Sequence, residues 1–142
     1  MGSILVVEDD ASIRRLVKMV LERAGYEVEQ AADGLEAVLK LGVCDYDAVI
    51  LDLMMPNLDG YGLIQRLKER GGQHPAIIVI SAAHSAALRG LDGSMVHSII
   101  RKPFDIDVLG DLISAAADSM TAQPEEMPKQ GDVLRFRRED VC

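Results

Sequence analysis

A chain of 142 residues, 49% hydrophobic and 27% charged, has the length and composition of one ordinary globular domain that needs no metal or disulfide staples. Its net charge of -8 argues against direct nucleic-acid binding, which is driven by Lys and Arg neutralising phosphates. Cys44 and Cys142 make no disulfide framework and no Cys/His metal pattern. The apolar run at Ile4 to Val7 is cut by Glu8, Asp9 and Asp10, so no signal peptide or membrane span is expected and a cytoplasmic setting fits.

Short apolar runs alternate with longer stretches of helical period, the pattern of a parallel sheet with helices on both faces. Strands are predicted at Ile4–Val7, Tyr26–Gln30, Asp47–Leu51, Ala76–Ile80 and Ser98–Arg101. The first, third and fourth are nearly all apolar, as buried parallel strands should be, and the second reads as more exposed. The first helix gathers Ile13, Leu16, Val17, Val20 and Leu21 on one face, with Asp10 as its cap and Gly25 as its stop. Further helices are expected at Leu35–Leu41, Tyr61–Glu69 and Ile106–Met120, the last capped by Asp105. Gly90 and Gly93 leave room only for a short helix near Ser85–Leu91. Residues 1–120 therefore read as the folded domain, and 121–142, rich in Gln, Pro and Glu, as a tail or linker.

Ligands of such sheets bind beyond the carboxyl ends of the strands, where strand order reverses. Glu8 and Asp9 follow the first strand and Asp52 the third, so three carboxylates should share one crevice. Carboxylates that close resist ionising together unless a cation offsets them. Oxygen-only ligands favour Mg²⁺, with Mn²⁺ as the second choice. Ser81 and Lys102, at the ends of the fourth and fifth strands, bring a hydroxyl and an ammonium suited to phosphate oxygens. Singly, each has an ordinary explanation as a cap or a solvated charge; their conjunction at four strand ends does not.

The ordered set Leu5-Val6-Val7-Glu8-Asp9-Asp10, Leu51-Asp52-Leu53-Met54-Met55-Pro56-Asn57-Leu58-Asp59-Gly60, Ile80-Ser81-Ala82 and Lys102-Pro103-Phe104 resembles the receiver domain of two-component response regulators over about residues 3–120. The resemblance implies a flavodoxin-like (βα)5 fold, a doubly wound parallel five-stranded sheet of order 2-1-3-4-5. It also implies that Asp52 is the nucleophile that takes a phosphoryl group from a sensor histidine kinase or phosphotransfer protein. Asp9 and Asp52 would bind the metal directly, Glu8 often through water, and Met54 through its backbone carbonyl; Ser81 and Lys102 would contact the phosphoryl group. The protein is then a phosphoacceptor rather than an enzyme. It would act on a downstream protein or on an output domain beyond this chain, with homodimerisation on phosphorylation as one route.

Several positions depart from the resemblance. Ile99 stands where many receivers carry an aromatic residue, and Met95 and Val96 replace a common Gly-Ala pair. Phosphorylation is then expected to bias the order of the Gly90/Gly93 region rather than an aromatic rotamer. Met54 and Ala83 cannot hold an attacking water by hydrogen bonding, which predicts slow self-dephosphorylation. Val133-Leu134-Arg135-Phe136-Arg137-Arg138 is read as part of a disordered tail, with a docking peptide as the other reading. Two rival functions are a receiver-like scaffold without chemistry and an aspartyl-phosphate hydrolase. The second lacks the Asp-x-Asp pair expected of it, because Met54 stands two residues beyond Asp52.

Overall fold

A computed structural model describes residues 2–55, 57–82, 91, 93–102, 105, 107–111, 113 and 115. Eight elements follow one another: β1 (Ser3–Val7), α1 (Ala11–Arg23), β2 (Glu27–Ala31), α2 (Gly34–Val43), β3 (Ala48–Asp52), α3 (Gly60–Arg70), β4 (Ala76–Ser81) and β5 (Val96–Arg101). A further helix is described at 107–111, 113 and 115. All strand pairings are parallel and the sheet runs β2-β1-β3-β4-β5, the expected order.

Alternation along the central strands divides the core into two layers. Leu5, Val7, Val49, Leu51, Ile77 and Val79 pack with Ala37 and Leu41 of α2 and Leu63, Ile64 and Leu67 of α3. The opposite residues, Ile4, Val6, Ile50, Ile78 and Ile80, pack with Val17 and Leu21 of α1 and with Leu109 and Ile113. Burial on both faces explains why β1, β3 and β4 are continuous apolar runs, whereas β2 and β5 alternate with exposed residues at the sheet edges.

The helix boundaries have local causes. Asp10 Oδ1 accepts from the Ser12 and Ile13 amides and starts α1. At the other end Gly25 takes φ 99°, its amide donating to the Glu22 carbonyl and that of Tyr26 to Leu21, a Schellman ending. The last helix begins with Asp105, whose side chain accepts from the Asp107 amide at 2.8 Å. No helix among the described residues is long and apolar enough to cross a membrane.

Three expectations shift. Asp52 and Ser81 are the last residues of β3 and β4 rather than the first residues beyond them, because the β3–β4 ladder continues to Asp52 and Ile80 and the β4–β5 ladder to Ser81 and Arg101. The fifth strand starts at Val96, two residues early, with an irregularity at Ile77/Ile78 that admits the extra length. The second strand runs Glu27–Ala31, one residue later than expected, and Cys142 lies outside the described residues. The expected short helix near Ser85–Leu91 lies outside them save for Leu91, as do Gly90, the tail and most of the last helix.

Candidate functional site at the carboxyl ends of β1, β3 and β4

The chain leaving β1 crosses to β2 on one side and the chain leaving β3 crosses to β4 on the other, so a crevice opens between the carboxyl ends of β1 and β3. Glu8 and Asp9 line this opening from β1 and Asp52 from β3. One carboxylate oxygen from each of the three lies within 4.8 Å of the others. Glu8 and Asp52 are buried, at 2% and 4% exposure, while Asp9 is exposed. Lys102 enters from the end of β5, with Nζ 3.0 Å from Glu8 Oε1 and 3.5 Å from Asp52 Oδ2. The Lys102 amide donates to the Ser81 carbonyl at 2.9 Å, which ties the lysine to the end of β4. Ser81 is fully buried, one register step beyond the Asp52–Ile80 pair. The structure therefore gathers Glu8, Asp9, Asp52 and Lys102 within contact range and places Ser81 on the adjoining strand end.

Burial dominates the electrostatics of Glu8 and pushes its carboxyl up to about 7, against the lowering influence of Lys102 and of the Asp10 amide that donates to Oε2; the Asp52 charge adds to the rise. For Lys102, burial acts to lower the pKa, but the Glu8 and Asp52 carboxylates outweigh it and the ammonium is held above its ordinary range. The Lys102 ammonium, 3.0 Å from Glu8 Oε1, is the charged partner of this buried oxygen.

Backbone and neighbouring side chains hold the acidic loops. Arg14 Nη1 donates to the Glu8 carbonyl at 2.7 Å, bracing the turn between β1 and α1. The Met54 amide donates to Asp52 Oδ1 at 3.3 Å. Gly60 packs where a Cβ would stand 2.7 Å from Leu53 Cα and 2.8 Å from the Asp52 carbonyl oxygen, so the absence of a side chain lets α3 start against the end of β3. Gly60 thus supplies close approach as well as the start of α3. Met54, Met55, Asp59 and Asp9 line an open cavity of about 300 Å³ beside the carboxylates. Asp33 and Asn57, whose side chains join 2.8 Å apart, were missed as a pair. The Asp33 side alone had a readable signal, its capping pattern Asp33-x-x-Glu36, in which Asp33 Oδ1 accepts from the Glu36 amide and Glu36 Oε1 from the amide of Ala32, one residue before the cap.

Three converging carboxylates, two of them buried, with no nitrogen or sulfur donor among them, fit a hard divalent cation. Comparison with known proteins gives the family of this fold. The family profile described as response regulator receiver domain matches residues 4–114. The chain belongs to the response regulator receiver family. It is 36% identical over 101 residues to the transcriptional regulatory protein ResD of Bacillus subtilis, covering 71% of this chain and 42% of ResD. The chain thus spans less than half the length of that relative. Among solved structures, the receiver domain of a Francisella response regulator superposes with TM-score 0.77 at 30% identity, covering 84% of this chain and 98% of that one. The response regulator TrrA of Thermotoga maritima, solved in complex with Mg²⁺ and BeF, matches with TM-score 0.73 at 32% identity over 82% of this receiver and 99% of TrrA.

Proposed function

We propose that Asp52 of this receiver accepts a phosphoryl group from the phosphohistidine of a sensor kinase or phosphotransfer protein, with Mg²⁺ held by Asp9, Asp52, Glu8 and the Met54 carbonyl. The observation that carries this reading is the buried Asp52 carboxylate with a lysine ammonium 3.5 Å from one oxygen and two further carboxylates within 4.8 Å. In the step, an Asp52 carboxylate oxygen bonds to phosphorus as the P–N bond breaks. The imidazole nitrogen keeps that electron pair and leaves as a neutral ring once it holds a proton. Bound Mg²⁺ would supply charge neutralisation for the phosphoryl oxygens. Lys102 supplies a second positive charge, Ser81 a hydroxyl donor, and the Met54 amide a fixed orientation for Asp52. The superposition on a receiver solved with Mg²⁺ and BeF supports the choice of ion.

Incubation with Mg²⁺ and a small-molecule phosphodonor tests the reading by intact mass. The expected product carries one phosphoryl group, absent in Asp52→Asn and absent when the metal is chelated. An adduct that persists in Asp52→Asn contradicts it, and turnover of a generic phosphate ester favours the hydrolase instead.

The phosphorylated form should be long-lived. Met54 is 64% exposed at the cavity rim, and its thioether cannot orient a water toward phosphorus. Met54→Asn is expected to speed loss of the phosphoryl group on the order of tenfold, read from the decay of the adduct after the donor is removed. An unchanged decay rate counts against the role assigned to this position.

A further inference from the structure

After β3 the chain leaves the sheet at Leu53 and returns at Asp59 to cap α3, so the cavity wall formed by Met54 and Met55 is only as fixed as this excursion. Its returning end is fixed by the Gly60 amide, which donates to the Leu53 carbonyl at 3.0 Å. Farther out, Asn57 adopts φ 68°, a left-handed conformation that is unfavourable for most non-glycine residues and that Asn tolerates better than most. In that conformation its Nδ2 donates to Asp33 Oδ2 at 2.8 Å, across 24 positions of sequence. The Asp33 end is itself anchored, because Oδ1 accepts from the Glu36 amide at 2.9 Å and caps α2. These two hydrogen bonds, the Glu36 amide first, hold the Asp33 carboxyl below its ordinary range, so it stays an ionised acceptor.

Beside this contact the approach is limited by contact of another kind. Gly34 lies so near the loop that a Cβ there would stand 2.0 Å from the Leu58 carbonyl oxygen. The segment therefore cannot move toward α2, and the Asn57 amide resists movement away from it. The inner end of the same segment presents the Met54 amide to Asp52 Oδ1 at 3.3 Å.

We propose that Asp33 and Asn57 are positioning residues for the phosphorylation site: their contact pins the segment after β3, and through Met54 it sets the orientation of the Asp52 carboxylate. The inference rests on the function proposed above. It gives the pair a consequence that an ordinary exposed hydrogen bond lacks. Mg²⁺ demands near-ideal octahedral geometry, and displacement of a ligand-bearing loop by a fraction of an ångström lowers affinity without unfolding anything.

Asn57→Gly separates the two readings, because glycine accepts φ 68° at no steric cost while removing the amide. Mg²⁺ binding to the whole chain is measured by titration calorimetry with no phosphodonor present, together with urea stability and amide exchange of the metal-free protein. The expected result is Mg²⁺ affinity weakened roughly fivefold, faster exchange of the Met54 and Met55 amides, and unchanged global stability. Asp33→Asn, which keeps an oxygen to cap α2 but turns a donor toward Asn57, should weaken binding similarly, and the double variant should be no worse than either single one. Wild-type affinity in Asn57→Gly, additive effects, or a loss of affinity that only tracks a loss of stability overturns the proposal. Should wild-type protein form no adduct on Asp52 while these Mg²⁺ effects hold, the phosphoacceptor reading fails and the positioning of the metal loop stands.

Discussion

Lys102→Ala is expected to slow phosphorylation of Asp52 by about 10²–10³-fold at saturating Mg²⁺, the scale on which removal of one preorganised charge-stabilising group acts. Among the described residues, Lys102 is the cation whose ammonium reaches both Glu8 and Asp52, at 3.0 and 3.5 Å. Phosphoryl transfer asks the protein chiefly for neutralised oxygens and in-line placement, so the step loses a large share of its stabilisation with this one group. Mg²⁺ affinity should hold or rise, because the ammonium competes with a cation for the same carboxylates. That opposite movement separates loss of transfer from general damage. Lys102→Arg should restore little, since a planar guanidinium cannot occupy the compact position between two carboxylates. Rates follow from the time course of the adduct, and affinity from direct titration.

Stability of the metal-free protein should depend on pH through Glu8. Burial raises this carboxyl from 4.5 to about 7, so the folded state holds a proton that the unfolded state gives up. The resulting stabilisation is complete below about pH 4.5 and is lost as pH rises through 7. Urea unfolding in the presence of a chelator should therefore show higher stability at pH 5 than at pH 8. Glu8→Gln, which keeps the shape and removes the charge, should flatten this dependence and make the metal-free protein more stable than wild type at pH 8. Mg²⁺ should raise the stability of wild type at pH 8 by more than that of the variant. A variant that keeps the wild-type slope between pH 5 and pH 8 would show that another group carries it.

The fold was readable because each level of the sequence agrees with the next. Continuous apolar runs such as Ala76–Ile80 belong to strands covered on both faces, and the spacing of Val17 and Leu21 matches the layer in which they are buried. Strand order came from family resemblance and not from periodicity, which says which face a residue occupies but not which strand lies beside it. Of the site, the carboxylates, Ser81 and Lys102 were legible because parallel strands bring their carboxyl ends to one edge. The Asp33–Asn57 contact and the approach of Gly34 to Leu58 were not. They depend on how two loops meet, a long-range matter on which local propensity is silent. The close approach that Gly60 permits was not legible either, since a glycine demanded by a neighbouring backbone looks in sequence like any glycine in a turn.

The central claim is that, of the carboxylates crowding this crevice, Asp52 takes the phosphoryl group. Borohydride reduction of the phosphorylated protein converts an acyl-phosphate carboxyl to an alcohol and marks the residue, which peptide mass mapping then locates. The mark is predicted on Asp52 alone; a mark on Glu8, Asp9 or Asp59, or a phosphoryl group retained on Ser81, would contradict the account.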